Sequence, residues 1–161
     1  MKGNATVIAE LNKLLTGELT AADQYLINSR MHENWGLTAL YEKVEHERIE
    51  ELEHADKLIR RILFLEGVPD VASRAPLAIG ATVPEMLAND LAYELQVVAA
   101  LKKAIVLCEQ EQDFDSRRIL VELLRDTEED HAYWLEQHIG LIAKMGLENY
   151  LQSSAAIGKS A

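Results

Sequence analysis

Residues 40–66 read LYEKVEHERIEELEHADKLIRRILFLE, and this stretch decides the predicted fold. Its apolar residues recur at steps of three and four, the period of an amphipathic helix with one buried face. They are Leu40, Val44, Leu58, Ile62 and Leu65. Glu51 and His54 lie on the same face, where apolar residues are expected. A buried helix face that carries a carboxylate and an imidazole indicates a functional site inside the protein.

The same irregularity recurs in three other stretches with a helical period. Glu18 lies on the apolar stripe of a first helix, Glu94 on that of a third, and Glu128 with His131 on that of a fourth. The stripes are Ile8, Leu11, Leu15, Ala22 and Tyr25; Leu87, Leu91, Val98, Leu101 and Ile105; and Val121, Leu124, Leu135, Ile142 and Met145. Glu51 follows Glu18 by 33 residues and Glu128 follows Glu94 by 34, so the chain looks like a duplicated helical hairpin.

Helical periodicity dominates and strand-like alternation is absent, so the predicted class is all-α. We predict four long helices at about 5–34, 38–66, 84–111 and 115–145, and a short fifth helix at 147–153. A Thr82 cap with Glu85 three residues later and Pro84 between them is a typical helix start.

Residues 67–83 lack helical periodicity and contain Pro69, Ser73, Pro76 and Gly80, which predicts a connection. Extended, this segment reaches up to roughly 55 Å. A helix of about 28 residues is roughly 42 Å long. The crossover is therefore long enough for helices two and three to run parallel.

Four carboxylates and two imidazoles converge on the predicted bundle axis, because Glu and His three residues apart project from one helix face. Buried carboxylates without partners cost several kcal/mol each or take up protons. Two divalent cations would neutralise them. A set of oxygen ligands with two imidazoles suits iron or manganese and tolerates zinc.

Composition limits the other classes of function. The chain has 161 residues, fits a single domain over 1–161, and carries 27 acidic against 16 basic side chains, a net charge of -11. This charge argues against nucleic-acid partners. No apolar run approaches a membrane span, the N-terminus lacks the apolar core of a signal peptide, and Cys108 is the single cysteine, so we expect a cytoplasmic protein.

Other residues have two interpretations each. His46, Glu47 and Glu50 either line a secondary iron path or form a solvated acidic face. Tyr25 either hydrogen-bonds or donates an electron near the metals, or is a core tyrosine with some other polar partner.

The remaining aromatic, cysteine and histidine residues are predicted to be structural. We expect Trp35 and Trp134 to pack in the core or at an interface, and Cys108 to be a small buried apolar residue. His32 and His138 lack a Glu three residues earlier and are interpreted as structural or surface residues.

Several segments resemble the bacterioferritin family, and the resemblance covers nearly the whole chain. They are residues 11–15 with 17–19, 30–31, 34–37, 54–57, 62–67 and 146–152. The resemblance implies a ferritin-like four-helix bundle with a long crossover, assembled from dimers into a 24-subunit cage. It implies oxidation of Fe(II) by dioxygen or peroxide at a di-iron site and storage of a ferric mineral.

The six candidate ligands fall on the ferroxidase positions of that family. The resemblance implies that Glu18 and Glu94 are terminal ligands, that Glu51 and Glu128 bridge, and that His54 and His131 each complete one iron.

Two other classes of function stay open beside iron storage. The first is a non-storage di-iron or dimanganese redox enzyme, and the second is a metal-free structural bundle. A rubrerythrin-like chain would carry Cys-x-x-Cys pairs, which this sequence lacks. Starvation-type mini-ferritins place their ligands between subunits, so two Glu-x-x-His pairs within one chain argue against them.

Leu52 departs from the family pattern. Bacterioferritins carry a haem-ligating Met at the matching position, and Leu cannot ligate iron. The chain therefore resembles the haem-ligand-deficient subunit type, and we expect a homomeric cage without Met-ligated haem b. The same loss argues against a small ferredoxin partner, whereas a haem-binding sister subunit in a mixed cage would restore haem.

Overall fold

The computed structural model describes residues 1–155. Residues 156–161, the end of the predicted single domain, lie outside the described part. The helices are α1 (Ala5–Asn34), α2 (Thr38–Phe64), α3 (Val83–Gln110), α4 (Phe114–Asp126), a π-helical segment (Thr127–Ala132), α5 (Tyr133–Met145) and α6 (Leu147–Ser154). The predicted all-α bundle with a short C-terminal helix is confirmed. None of these helices combines the length and apolarity that crossing a membrane requires.

Side-chain contacts show that α1 and α2 are antiparallel. Ser29 Oγ donates to Glu45 near one end of the pair, and Glu18 meets His54 further along. Residue numbers in these contacts therefore fall along α1 as they rise along α2, which is the pattern of an antiparallel pair.

Helices α1 and α3 are also antiparallel. Asn28 donates to Asp90, and the Gly17 carbonyl accepts a hydrogen bond from Tyr93 Oη at 2.7 Å. Helices α2 and α3 therefore run parallel, as the length of the crossover allows.

The helix starts follow the capping residues. The Asn4 side chain accepts from the backbone N–H of Thr6 at 2.7 Å and so caps α1. At α3, Thr82 and Glu85 form the predicted capping box, with Pro84 in the first turn. These side chains satisfy backbone N–H groups that have no partner within their helix.

Helix α2 ends at Phe64, two residues before the predicted boundary at about 66. Glu66 has a φ of 61°, the left-handed conformation that ends a helix. A Cβ on Gly67 would lie 2.7 Å from Ile8 Cγ2 and 3.0 Å from Ile62 Cγ2. Only glycine fits where the chain turns this closely over α1 and α2.

The π-helical segment corrects the predicted continuous helix 115–145. The prediction buried Val121 and Leu124, but Leu120 and Leu123 are buried instead, and Val121 is exposed. A π-helix has more residues per turn than an α-helix. The π-helical segment therefore changes which of the preceding residues lie on the same helix face as His131.

Two apolar clusters enclose the centre of the bundle. One contains Leu11, Leu58 and Leu101, and the other contains Leu40, Leu87 and Leu135 near the short α6. Glu51 lies between Leu40 and Leu58 on α2, and Glu94 lies between Leu87 and Leu101 on α3, so the site is embedded in the core.

Candidate metal centre

Five of the six predicted ligands are buried side chains, each no more than 3% exposed. They come from four different elements: α1, α2, α3 and the π-helical segment. They are Glu18, Glu51, His54, Glu94 and His131. They form two groups of three whose ligand atoms lie within 4.8 Å of one another, and the groups share Glu51.

Glu51 lies between the two histidines. Its Oε1 is 2.8 Å from His131 Nδ1, and its Oε2 is 3.5 Å from His54 Nδ1. The two imidazole rings stack with centroids 5.8 Å apart. Each carboxylate oxygen of Glu51 thus faces a different half of the site, which is the arrangement a bridging ligand needs.

Protons balance the buried negative charge of the first group. Burial and, next, the charge of Glu51 together raise the pKa of Glu18 to about 8, against the lowering effect of His54. Burial lowers the pKa of His54, but Glu18 and Glu51 outweigh it and raise that pKa to about 10. At neutral pH, Glu18 and His54 therefore both carry protons.

The second group is balanced in the same way. Burial lowers the pKa of His131, but Glu47, Glu51 and Glu94 together raise it far above its ordinary range. His131 Nε2 lies 2.7 Å from Glu47, and its Nδ1 lies 3.7 Å from Glu94. The imidazolium of His131 therefore occupies a place that suits a cation.

Glu128 is the one predicted ligand that the structure does not bring into the cluster. Its side chain is 41% exposed and pairs with Lys102 Nζ at 2.5 Å. Residues three apart do not share a face in a π-helix as they do in an α-helix. Thr127 is buried instead, and its Oγ1 donates to the Leu123 carbonyl.

Tyr25 lies beside the ligands, as one interpretation predicted. It is buried, and its Oη donates to Glu94 Oε1. It lines a cavity of about 10 Å³ together with Glu47, Asp90, His131 and others. That volume is about the size of a single water molecule.

The three α2 residues that were interpreted as an iron path or a solvated face differ in exposure. Glu47 is 5% exposed, so its interpretation as part of a solvated face is wrong. His46 is largely exposed and pairs with Glu50 at 3.4 Å. Glu47 and Glu50 form a further group with His131 and Asp130, which the sequence interpretation missed. The signal was available, because Asp130 is adjacent to His131.

A buried polar network beside the site was also missed. Asp90 Oδ1 accepts from Gln24 Nε2 at 2.7 Å and from Asn28 Nδ2 at 2.9 Å. Burial raises the pKa of Asp90 to about 7 although both amides lower it. Gln24 Oε1 in turn accepts from the Ala78 N–H of the crossover, so this network fixes the crossover to the bundle.

The residues predicted to be structural are mostly internal. Cys108 and His32 are both buried, and burial lowers the pKa of His32 to about 4. Trp35 is partly exposed and packs edge-on against His32. His138 is half-buried and stacks on Trp134.

Leu52 points away from the site although it follows Glu51 directly. It is 43% exposed on the outer side of α2, and its side chain offers no lone pair to a metal. Position 52 of this chain therefore does not fit a haem iron.

The donor set suits a pair of hard or borderline divalent cations. Carboxylate oxygens predominate, one imidazole belongs to each half, and one carboxylate lies between the halves. Oxygen-rich ligation with imidazole is typical of iron and manganese.

Comparisons with known proteins agree with this architecture. The family described as "Ferritin-like domain" matches residues 8–145. A bacterial ferritin of Pseudomonas aeruginosa is 61% identical over 95% of this chain and 99% of its own length. One of Synechocystis is 58% identical over 95% and 98%, and a bacterioferritin of Brucella melitensis is 44% identical over 97% and 96%.

Proposed function

The chain belongs to the bacterioferritins of the ferritin-like superfamily, and we propose that it stores iron by oxidising Fe(II) at an intrasubunit di-iron site. The substrates are Fe(II) and dioxygen or peroxide, and the product is a ferric mineral. The activity is that of a ferroxidase. We place it in the cytoplasm, where a reducing environment keeps iron as Fe(II).

The shared position of Glu51 is the observation that carries this proposal. One carboxylate that faces both half-sites can hold two iron ions close enough to act on one oxidant molecule. Glu18 with His54 would complete one iron, and Glu94 with His131 the other. Carboxylates also stabilise the ferric product relative to the ferrous substrate.

Glu128 is proposed as the second bridging ligand. In the structure its carboxylate pairs with Lys102. Iron binding would require the side chain to leave Lys102 and turn toward His131, which its exposed position leaves sterically possible. Two added cations supply the electrostatic reason for that rotation, because they attract a carboxylate more strongly than one solvated ammonium does.

A secondary iron path is proposed beside His131. Glu47, Glu50 and Asp130 form an acidic group that touches this ligand, and His46 lies at its exposed end. The group passes from solvent at His46 to the buried Glu47. Fe(II) could therefore exchange carboxylate ligands along it.

We propose that the protein works as a homo-oligomer, a 24-subunit cage built from dimers. A mineral needs an enclosed volume that a single bundle does not have. The net charge of -11 per chain would attract Fe(II) to such a shell. Haem b is not expected in a homomeric cage, since Leu52 cannot ligate it, and a ferredoxin partner is not expected either. A sister subunit with the ligating Met would add haem to a mixed cage.

One experiment tests the function and separates it from its alternatives. Aerobic Fe(II) is added at many equivalents per subunit while ferric absorbance and particle mass are followed together. Storage predicts that hundreds of iron ions stay soluble inside a particle of 24-mer mass. Turnover in a small oligomer would indicate a non-storage di-iron or dimanganese enzyme. Precipitation at the rate of protein-free buffer would leave only a structural bundle.

A further inference from the structure

A line of aromatic side chains leads from the metal centre to the C-terminal helix. Trp134 lines the same small cavity as His131. Its indole stacks on the His138 imidazole with centroids 3.9 Å apart. On the far side, His138 Nδ1 lies 2.7 Å from the Tyr150 hydroxyl. The three rings connect the edge of the site to α6 without a gap.

Tyr150 and His138 form a matched proton donor and acceptor. Tyr150 is buried, and burial raises the pKa of its hydroxyl to about 12, so the phenol is protonated. Burial, together with the charge of Lys43, lowers the pKa of His138, so its imidazole is neutral near pH 7. If the imidazole carries its proton on Nε2, its Nδ1 accepts the hydrogen bond that the protonated phenol donates over this 2.7 Å distance.

We propose that Tyr150 is a redox-active tyrosine that delivers an electron to the metal centre through Trp134, with His138 as its proton acceptor. This inference rests on the proposed ferroxidase function. It assigns a redox role to residues that bind no metal. Its oxidant is the dioxygen that reacts at the site, because peroxide needs only the two electrons that two Fe(II) ions supply.

The electrons and protons balance as follows. Dioxygen requires four electrons and four protons to become water. Two Fe(II) ions at the site supply two electrons, Trp134 supplies the third, a further Fe(II) ion supplies the fourth, and the protons come from solvent. Trp134 gives one electron to the oxidant, and Tyr150 then reduces the indole as its O–H bond breaks. The phenol proton moves to His138 Nδ1 and leaves a neutral tyrosyl radical. A later Fe(II) returns the electron, and the imidazolium returns the proton.

If Tyr150 only anchored α6, its hydrogen bond to an imidazole that also stacks on Trp134 would not be needed. Any polar partner of the Tyr150 hydroxyl would hold the helix. The indole stacked on the other face of the same imidazole is what connects this hydrogen bond to the cavity beside His131.

Freeze-quench electron paramagnetic resonance tests the proposal on the full-length, assembled protein. The protein is loaded anaerobically with Fe(II), mixed with oxygenated buffer and frozen at successive times, while ferric absorbance is recorded from the same mixture. We expect a transient tyrosyl signal that changes its hyperfine structure when tyrosine is ring-deuterated. Tyr150→Phe should abolish it, and Tyr133→Phe, which removes an exposed tyrosine beside Trp134, should leave it unchanged.

His138→Phe provides a second variant should Tyr150→Phe assemble poorly. It retains a ring between Trp134 and Tyr150 but removes the proton acceptor, so the tyrosyl signal should give way to an indole radical. A tyrosyl signal that persists in both variants, or that disappears only in Tyr25→Phe, would overturn the proposal. Ferric formation without any tyrosyl signal in the unmodified protein would overturn it while leaving the ferroxidase function intact. No ferric formation would overturn both.

Discussion

At the scale of single residues, protons offset the buried negative charge of the site. Glu18, His54 and His131 all have a raised pKa, because each faces buried carboxylates or is itself one. Two cations held by these residues would take over the charge balance that the protons provide. The same charge balance explains how carboxylates on the core stripes are compatible with a folded bundle.

Replacing the ligands of one half-site should stop rapid oxidation without unfolding the protein. In Glu94→Ala with His131→Ala, one iron loses two ligands. The fast phase of ferric absorbance should therefore fall by more than the roughly 10- to 100-fold typical of an outer-sphere change. The thermal midpoint should stay the same or rise, because buried charge is removed. Glu129→Ala, an exposed neighbour in the π-helical segment, is the control. An unchanged initial rate in the double variant would show that the ligands are misassigned.

Metal binding should release protons, and its strength should depend on pH. Glu18, with a pKa of about 8, and His54, with a pKa of about 10, are protonated at neutral pH and must lose their protons to coordinate. The apparent affinity for anaerobic Fe(II) should therefore rise between about pH 6 and pH 9.

The stability of the metal-free protein should change in the opposite direction. The contribution of protonated Glu18 is fully present below its ordinary pKa of 4.5 and is lost as the pH rises through about 8. Titration calorimetry with anaerobic Fe(II), in buffers of different ionisation enthalpy, measures the protons that metal binding releases. A binding enthalpy that is the same in all buffers would contradict this account.

At the scale of helices, the sequence predicts three of the four long helices well and the last one poorly. Leu40, Val44 and Leu58 are buried on α2 as their spacing indicates. The apolar residues of the predicted fourth helix are also regularly spaced, but the π-helical segment breaks the helical register. No Pro or Gly marks residues 127–132, so a rule based on 3.6 residues per turn had no signal for the change.

One extra residue accounts for this error in register. With residue 127 omitted from the count, Leu123, Leu120 and Ser116 lie 7, 10 and 14 positions before His131, on one α-helical face, and all three are buried. With residue 127 counted, Leu124 and Val121 take the places of Leu123 and Leu120. The spacing of 34 residues from Glu94 to Glu128, against 33 in the first half, contains the same extra residue.

Deleting Thr127 should restore a continuous α-helix and turn Glu128 toward His131. Glu128→Ala should then weaken Fe(II) binding more in the deletion background than in the unmodified chain, by about tenfold or more. A double-mutant cycle measures this difference as a coupling energy. Far-UV circular dichroism and particle mass establish that the deletion variant folds and assembles. A coupling of zero would mean that the π-helical segment does not control the position of Glu128.

At the scale of the whole molecule, the parallel α2 and α3 make the site possible. The long crossover places both hairpins around one axis, and Gln24 fixes the crossover through the Ala78 N–H. Glu and His residues from opposite ends of the sequence therefore meet in one core. The repeated spacing predicted this meeting, whereas the side-chain direction of Glu128 depends on the local backbone and was not predictable from it.

Leu52 makes haem content a property of the assembled protein. It lies on the outer side of α2, where family resemblance places a haem shared by two subunits, and it is 43% exposed in the single chain. The purified homomeric protein, incubated with haem b, should show no Soret band of a Met-ligated haem. Leu52→Met should introduce one, because a thioether sulfur can ligate iron. Leu63→Met adds a Met at another exposed apolar position of α2 and should not introduce the band. A strong Soret band at one haem per dimer in the unmodified homomer would show that another side chain ligates haem, and that loss of the Met at position 52 does not make this subunit haem-free.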